Sequence, residues 1–182
     1  MKLEDRVAIA TREWVANVVI GYNFCPFARP VFEPDRIKYA VDHSDNVADV
    51  LETLYQGCLE LRENDNIATT LVIFDNCAQN FDDYLDVLAM AERLMEQSGF
   101  SGEFQLASFH PDYQFDGEDE SSPGNFTNRS PYPTLHIIRE HDIEQAMRGK
   151  EDSSAIYERN MRKAESFGCE HFASILDDLR KR

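Results

Sequence analysis

The chain's 182 residues, 42% apolar and 29% charged, suit a single domain (1–182) around one core and fall in the ordinary globular range. Its 34 acidic against 18 basic residues leave a formal charge of −16, which argues against non-specific binding to nucleic acid or anionic lipid, because both require a positive footprint. No apolar run approaches the roughly 18 residues needed to span a bilayer.

Leu3, Val7, Ala10, Trp14 and Val18 recur at helical spacing, so 3–20 is predicted as a first amphipathic helix, ended by Gly21. Asp5, Arg6, Arg12 and Glu13 interrupt its apolar positions, which reads as a helix and not a signal peptide. The four cysteines, Cys25, Cys58, Cys77 and Cys169, are widely spaced without a CxxC pair. They are expected to be free thiols in a cytoplasmic chain and not a zinc site. Cys25 sits in an aromatic and proline segment in which Pro26 and Pro30 oppose helix or central strand.

A short strand is predicted at 37–41. Ser44 or Asn46 then caps a helix whose apolar face is Val47, Val50, Leu51, Leu54, Tyr55, Cys58 and Leu61. Thr69–Phe74 (TTLVIF) is a continuous apolar run suited to a strand buried on both faces. The next helix carries Phe81, Tyr84, Leu85, Leu88, Ala91, Leu94 and Met95 on one face and stops at Gly99. Strands follow at 104–110 and Thr134–Arg139. Asp142 is expected to cap a short helix at 143–148, and helices at 152–167 and 171–180 are interrupted at Gly168.

Strands separated by helical crossovers imply parallel pairing, hence an α/β sheet of about four strands, mostly parallel, flanked by helices. From the first strand the elements run β-α-β-α-β-β-α, the thioredoxin-like order, with a ferredoxin-like arrangement as the alternative. Tyr132-Pro133-Thr134 looks like the cis-proline that leads into a strand of thioredoxin-like proteins, although the redox cysteine pair of that fold is missing.

The two last strands flank a connection, 111–133, that holds four prolines, two glycines, two tyrosines, two phenylalanines and a lone arginine. Connections this long are uncommon in compact domains and are usually functional or disordered. Disordered linkers lack aromatics, so an ordered functional loop is expected. Ligands of open α/β sheets bind outside the carboxyl ends of the strands. That rim would gather Asp42, His43, Asp75, Asn76, Cys77, His110, Pro111 and Asp112. With an antiparallel fourth strand it also gathers Arg129, Ser130, Tyr132, Thr134 and His136.

His110 and His136 are the candidate pair for acid–base or metal chemistry, and a satisfied structural hydrogen bond is the competing role for each. Arg129, with Asn128 and Ser130, offers donors suited to a carboxylate or phosphate, while pinning its own loop through Asp112 or Asp116 is the alternative. Asp112, Tyr113 and Tyr132 complete the candidate ligand-binding set. Cys25 is a candidate nucleophile, and Cys77 lies before a helix whose dipole would lower its pKa; a buried structural thiol competes with both. The acidic tip 116–120 lacks the spacing of a calcium loop and is expected to be solvated.

Three segments together, 21–30 (GYNFCPFARP), 107–115 (ASFHPDYQF) and 127–140 (TNRSPYPTLHIIRE), resemble the bacterial domain-of-unknown-function family numbered 1415. The similarity extends over nearly the whole chain, including 155–160 (AIYERN). The resemblance implies that the three segments belong to one unit; it carries no reaction and no cofactor. The residues themselves point to a cytoplasmic α/β enzyme acting on a small anionic or peptide-like substrate. The alternatives are a non-catalytic ligand- or protein-binding module, and a metal site built on His110, His136 and a carboxylate or Cys25.

Overall fold

The computed structural model describes residues 5–148 and 153–181. In chain order the elements are α1 (Arg6–Trp14), α2 (Arg29–Phe32), β1 (Ile37–Asp42), α3 (Val47–Glu63), β2 (Thr69–Phe74), α4 (Phe81–Gln97), β3 (Phe104–Phe109), β4 (Thr134–Arg139), α5 (Glu140–Met147), α6 (Ser153–Phe167) and α7 (Cys169–Arg180). A π-helical turn, Val15–Ile20, extends α1, and a 3-10 turn, Pro123–Thr127, lies in the long connection. No helix among the described residues is long and apolar enough to cross a membrane.

All six residues of β2 are buried, because it lies inside the sheet with helices over both faces. The sheet order is β1-β2-β4-β3, with β1 and β2 parallel and β4 antiparallel to both neighbours. An α/β sheet flanked by helices is therefore present, and it is mixed. Three strands point one way, yet only one pairing is parallel, because β4 inserts between β2 and β3. The chain order β-α-β-α-β-β-α is met, but a thioredoxin-like arrangement is not confirmed: β2, not β1, borders the antiparallel strand. The parallel β1–β2 pair does not fit the ferredoxin-like alternative. No peptide bond among the described residues is cis, so Pro133 does not carry the cis geometry expected of it.

Alternation along the strands divides the interior into two layers. Val72, Phe74, Leu135, Ile137 and Phe104 face α3 and α4, where Leu54, Cys58, Leu61, Tyr84 and Ala91 are buried. Tyr39, Leu71 and Ile73 face the other layer, formed by Trp14, Val18, Phe24, Phe126, Phe172 and Leu176. Tyr84 is the bolt between β3 and β4: its hydroxyl donates to Thr134 O (2.8 Å) and accepts from Phe109 N–H (3.1 Å). At the opposite end Arg139 donates to Ile67 O, Ala68 O, Leu61 O and Asn64 O, tying β4 to the α3–β2 turn.

Several local expectations need a different cause. Asn46 caps α3 by accepting from Ala48 N–H, and Asn80 caps α4 by accepting from Asp83 N–H. By contrast α5 begins at Glu140, two residues before its expected Asp142 cap, with no side-chain cap at Arg139. Gly21 follows the π turn in right-handed backbone; it is glycine because a Cβ there would lie 2.1 Å from Asn17 O, and not for a left-handed cap. Gly168 (φ +80°) does break α6 from α7 by left-handed backbone. Leu3 and Asp152, the outer positions of two predicted helices, lie outside the described residues.

Candidate functional site

The rim expected from topology is present. The register pairs Asp42 with Phe74, Ile73 with Thr134 and Phe109 with Thr134, so the ends of β1, β2 and β3 and the start of β4 share one edge. Which side chains are chemically available there differs from expectation.

His110 is fully buried. Its Nδ1 accepts from Asp112 N–H (3.0 Å), so Nε2 carries the proton and faces Ala78 O (3.2 Å). The ring packs on Phe81 and Tyr84 of α4 at centroid distances of 5.4 and 5.0 Å. Burial, partly offset by the bond to Ala78, holds its pKa below the usual histidine range. It is a neutral histidine that organises backbone.

His136 points to the other side of the sheet, into the layer with Phe109 (ring distance 6.2 Å). Thr69 Oγ1 donates to Ile137 O (2.6 Å) and therefore accepts from His136 Nε2–H (2.6 Å). Burial pushes its pKa down to about 4, and Nδ1 has no partner among the described residues. The two histidines are thus on opposite faces and cannot share a proton or a metal ion. Among the described residues no group of three or more His, Cys, Asp or Glu side chains is arranged to hold a metal ion.

Cys25 joins neither histidine. Burial pushes its thiol up, against the pull of the Phe27 and Ala28 N–H groups, and its segment is fastened to α6 by Asn160 Nδ2–H donating to Phe24 O. Cys77 is buried, and burial together with Asp42 and Asp45 raises its pKa, against the lowering expected of it.

The connection 111–133 is ordered by its own backbone. Buried Asn125 accepts from Phe115 N–H (3.1 Å) and donates to Asp119 O (2.9 Å) and Glu120 O (3.3 Å). Asn128 donates to Ser108 O, and buried Ser130 donates to Tyr132 O. Neither is available to a ligand in the way expected of an Arg129 partner. Tyr113 packs at a tilt against Phe81 and edge-on against Phe115, and Tyr132 packs beside the Trp14 layer. Asp112 is exposed.

Arg129 pins the loop, through carbonyls rather than through Asp112 or Asp116. Its Nε donates to Tyr113 O (3.1 Å) and Nη2 to Glu120 O (3.0 Å), with the guanidinium 4.6 Å above the Phe126 ring. Burial lowers its pKa and Asp112 partly restores it; an arginine stays cationic through such a shift. Its Nη1 has no partner among the described residues. The same side chain lines a depression of about 400 Å³ with Asp119, Glu120 and Ser121. Cys169, first residue of α7, donates to Ser121 O (3.0 Å) and fixes that edge. The acidic tip, expected only to be solvated, therefore supplies one wall. Sequence reasoning missed it because the Glu120 carbonyl, and not a carboxylate of the tip, is what holds Arg129.

A second polar constellation was barely marked in the sequence. His43 places Nδ1 2.8 Å from Asp75 Oδ1 and Nε2 2.8 Å from Asp5 Oδ2. Asp5 is the N-cap of α1, and its other oxygen accepts from Val7 and Ala8 N–H. The available signals were an aspartate just before a helix and a histidine and an aspartate just beyond two adjacent parallel strands.

A family model described as "Protein of unknown function (DUF1415)" matches residues 6–174, a span that includes all three segments of the resemblance. No curated protein and no solved structure matches the chain.

Proposed function

Because the chain belongs to the DUF1415 family, whose description names no activity, we propose a role from its own side chains: it binds a small peptide-like molecule, carrying both a carboxylate and an ammonium group, in the Arg129 depression. The observation that carries this is Arg129 itself, locked by two carbonyls and an aromatic face while Nη1 is left without a partner among the described residues. A guanidinium fixed in this way is preorganised for a carboxylate oxygen. Asp119 and Glu120 line the same depression, and the whole chain carries −16. A simple polyanion meets repulsion there, whereas an ammonium group on the same ligand is attracted. The proposed role is binding, since none of His110, His136 and Cys25 lines the depression, both histidines hold hydrogen bonds within the fold and burial raises the Cys25 thiol pKa.

Calorimetry of the full chain with free amino acids, dipeptides and succinate tests this. Dipeptides or amino acids should bind more tightly than succinate, and Arg129→Lys, which keeps the charge but not the fork, should weaken that binding about tenfold or more. Unchanged affinity in a folded Arg129→Lys variant, or the absence of any zwitterion binding, overturns the proposal and leaves Arg129 as a loop pin.

A further inference from the structure

The Asp5–His43–Asp75 bridge lies apart from the Arg129 depression and joins three elements. Asp5 caps α1, His43 follows β1, and Asp75 follows β2; Asn76 Nδ2–H also donates to His43 O (2.8 Å). Both ring nitrogens sit 2.8 Å from carboxylate oxygens, so both contacts are hydrogen bonds only if the imidazole carries two protons. A neutral ring has one N–H and one lone pair, and one carboxylate would then face that lone pair. Asp75 side-chain exposure is 21% and that of Asp5 is 36%. Asp5 is the less enclosed partner, and it is the contact that gives way.

We propose that this bridge is a pH-sensitive latch, which holds the first turn of α1 against the carboxyl ends of β1 and β2 while His43 is doubly protonated and releases it when one proton leaves. Further acidic groups lie near the ends of β1 and β2. Asp42, at the end of β1, is held by Ser44 N–H and Thr53 Oγ1–H. Asp45 and Asp42 act on the buried Cys77 thiol beyond β2. Arg6, the residue after Asp5, is exposed. The hydrogen bonds to Asp75 and then Asp5 raise the His43 pKa above its ordinary 6.5. Burial pulls Asp5 upward, but the bonds from His43, Ala8 and Val7 outweigh it and leave Asp5 below its ordinary 3.8.

The sign of the pH dependence follows from linkage. The His43 contribution is complete below 6.5 and is lost as pH rises through its raised folded value. The Asp5 contribution is complete above 3.8 and is lost as pH falls through its lowered folded value. The latch is therefore fastened in mildly acidic solution and opens on the alkaline side.

Nuclear magnetic resonance titration of the full chain from about pH 5 to about pH 9 tests the latch. The His43 ring should titrate with a midpoint above 6.5, and the Val7 and Ala8 amides should move with that same midpoint. Their hydrogen exchange should gain about five-fold over the intrinsic pH effect as the cap loosens. Asp75→Asn should lower the midpoint, and His43→Gln should leave the two amides flat across that range. An ordinary His43 midpoint, or Val7 and Ala8 amides that ignore the loss of the proton, overturns the proposal. Should His43→Gln fail to fold, wild type and Asp75→Asn decide it alone.

Discussion

The connection 111–133 and the corner where β1 and β2 end are both rich in polar side chains at one edge of the sheet, yet only the corner adds a set of bonds between side chains. In the connection and at the residue that enters it, His110, Asn125, Asn128, Arg129 and Ser130 all bond to backbone groups. At the corner, His43 bonds to Asp5 and Asp75, Thr53 to Asp42, and Ser44 to Asp49, side chain to side chain. Backbone partners do not titrate and do not leave, so the first arrangement is architecture that withstands pH. Side-chain partners carry charge and are half-exposed, so the second is adjustable and contributes less to stability.

Substitutions should separate the two regions by size of effect. His110→Ala removes a packed ring and strands Asp112 N–H, and urea unfolding should show a loss of about 3 kcal/mol. A loss below about 1 kcal/mol would break the architectural reading of that side chain. Asn125→Ala leaves Phe115 N–H without its partner and frees two carbonyls, at a cost of about 2 kcal/mol in the same assay. An acid effect of comparable size belongs to His136: with its pKa pushed down by burial to about 4 against an ordinary 6.5, the unfolded chain takes up the proton first, so stability falls as pH drops from 6.5 toward about 4. His136→Gln should flatten that part of the stability–pH curve, and an unchanged slope would show that His136 is not desolvated. The smallest effect belongs to the corner. Ser44→Ala removes an exposed hydroxyl between Asp49 and Asn46 N–H and should cost less than about 1 kcal/mol, and a larger loss would erase the contrast between the regions.

Much of the fold was legible because local patterns govern it. TTLVIF is buried throughout as β2, β4 spans Thr134–Arg139 as expected, and Asn46, Gly99 and Gly168 punctuate their helices. Patterns of period two and 3.6 report one element at a time, and those elements have strong periods. The π turn at Val15–Ile20 and the short α2 across Pro30 were not legible, since neither has a period long enough to register. The edge of the sheet was legible as a place, since the ends of β1, β2 and β3 and the start of β4 do meet. Its chemistry was not, because the residue types of a catalytic histidine and of a histidine satisfied by amides and carbonyls are the same.

By itself, then, the sequence determined the longer secondary elements and the long aromatic connection, consequences of spacing within a few residues. Only the tertiary structure decided what each polar side chain meets. Asp5 and His43 are 38 residues apart and His43 and Asp75 are 32 apart, and their union depends on β1 pairing with β2 while α1 folds back over both. Register then places His136 opposite Ala107, one face away from His110, because side chains alternate along a strand. A single position of shift would have put those two histidines on the same side.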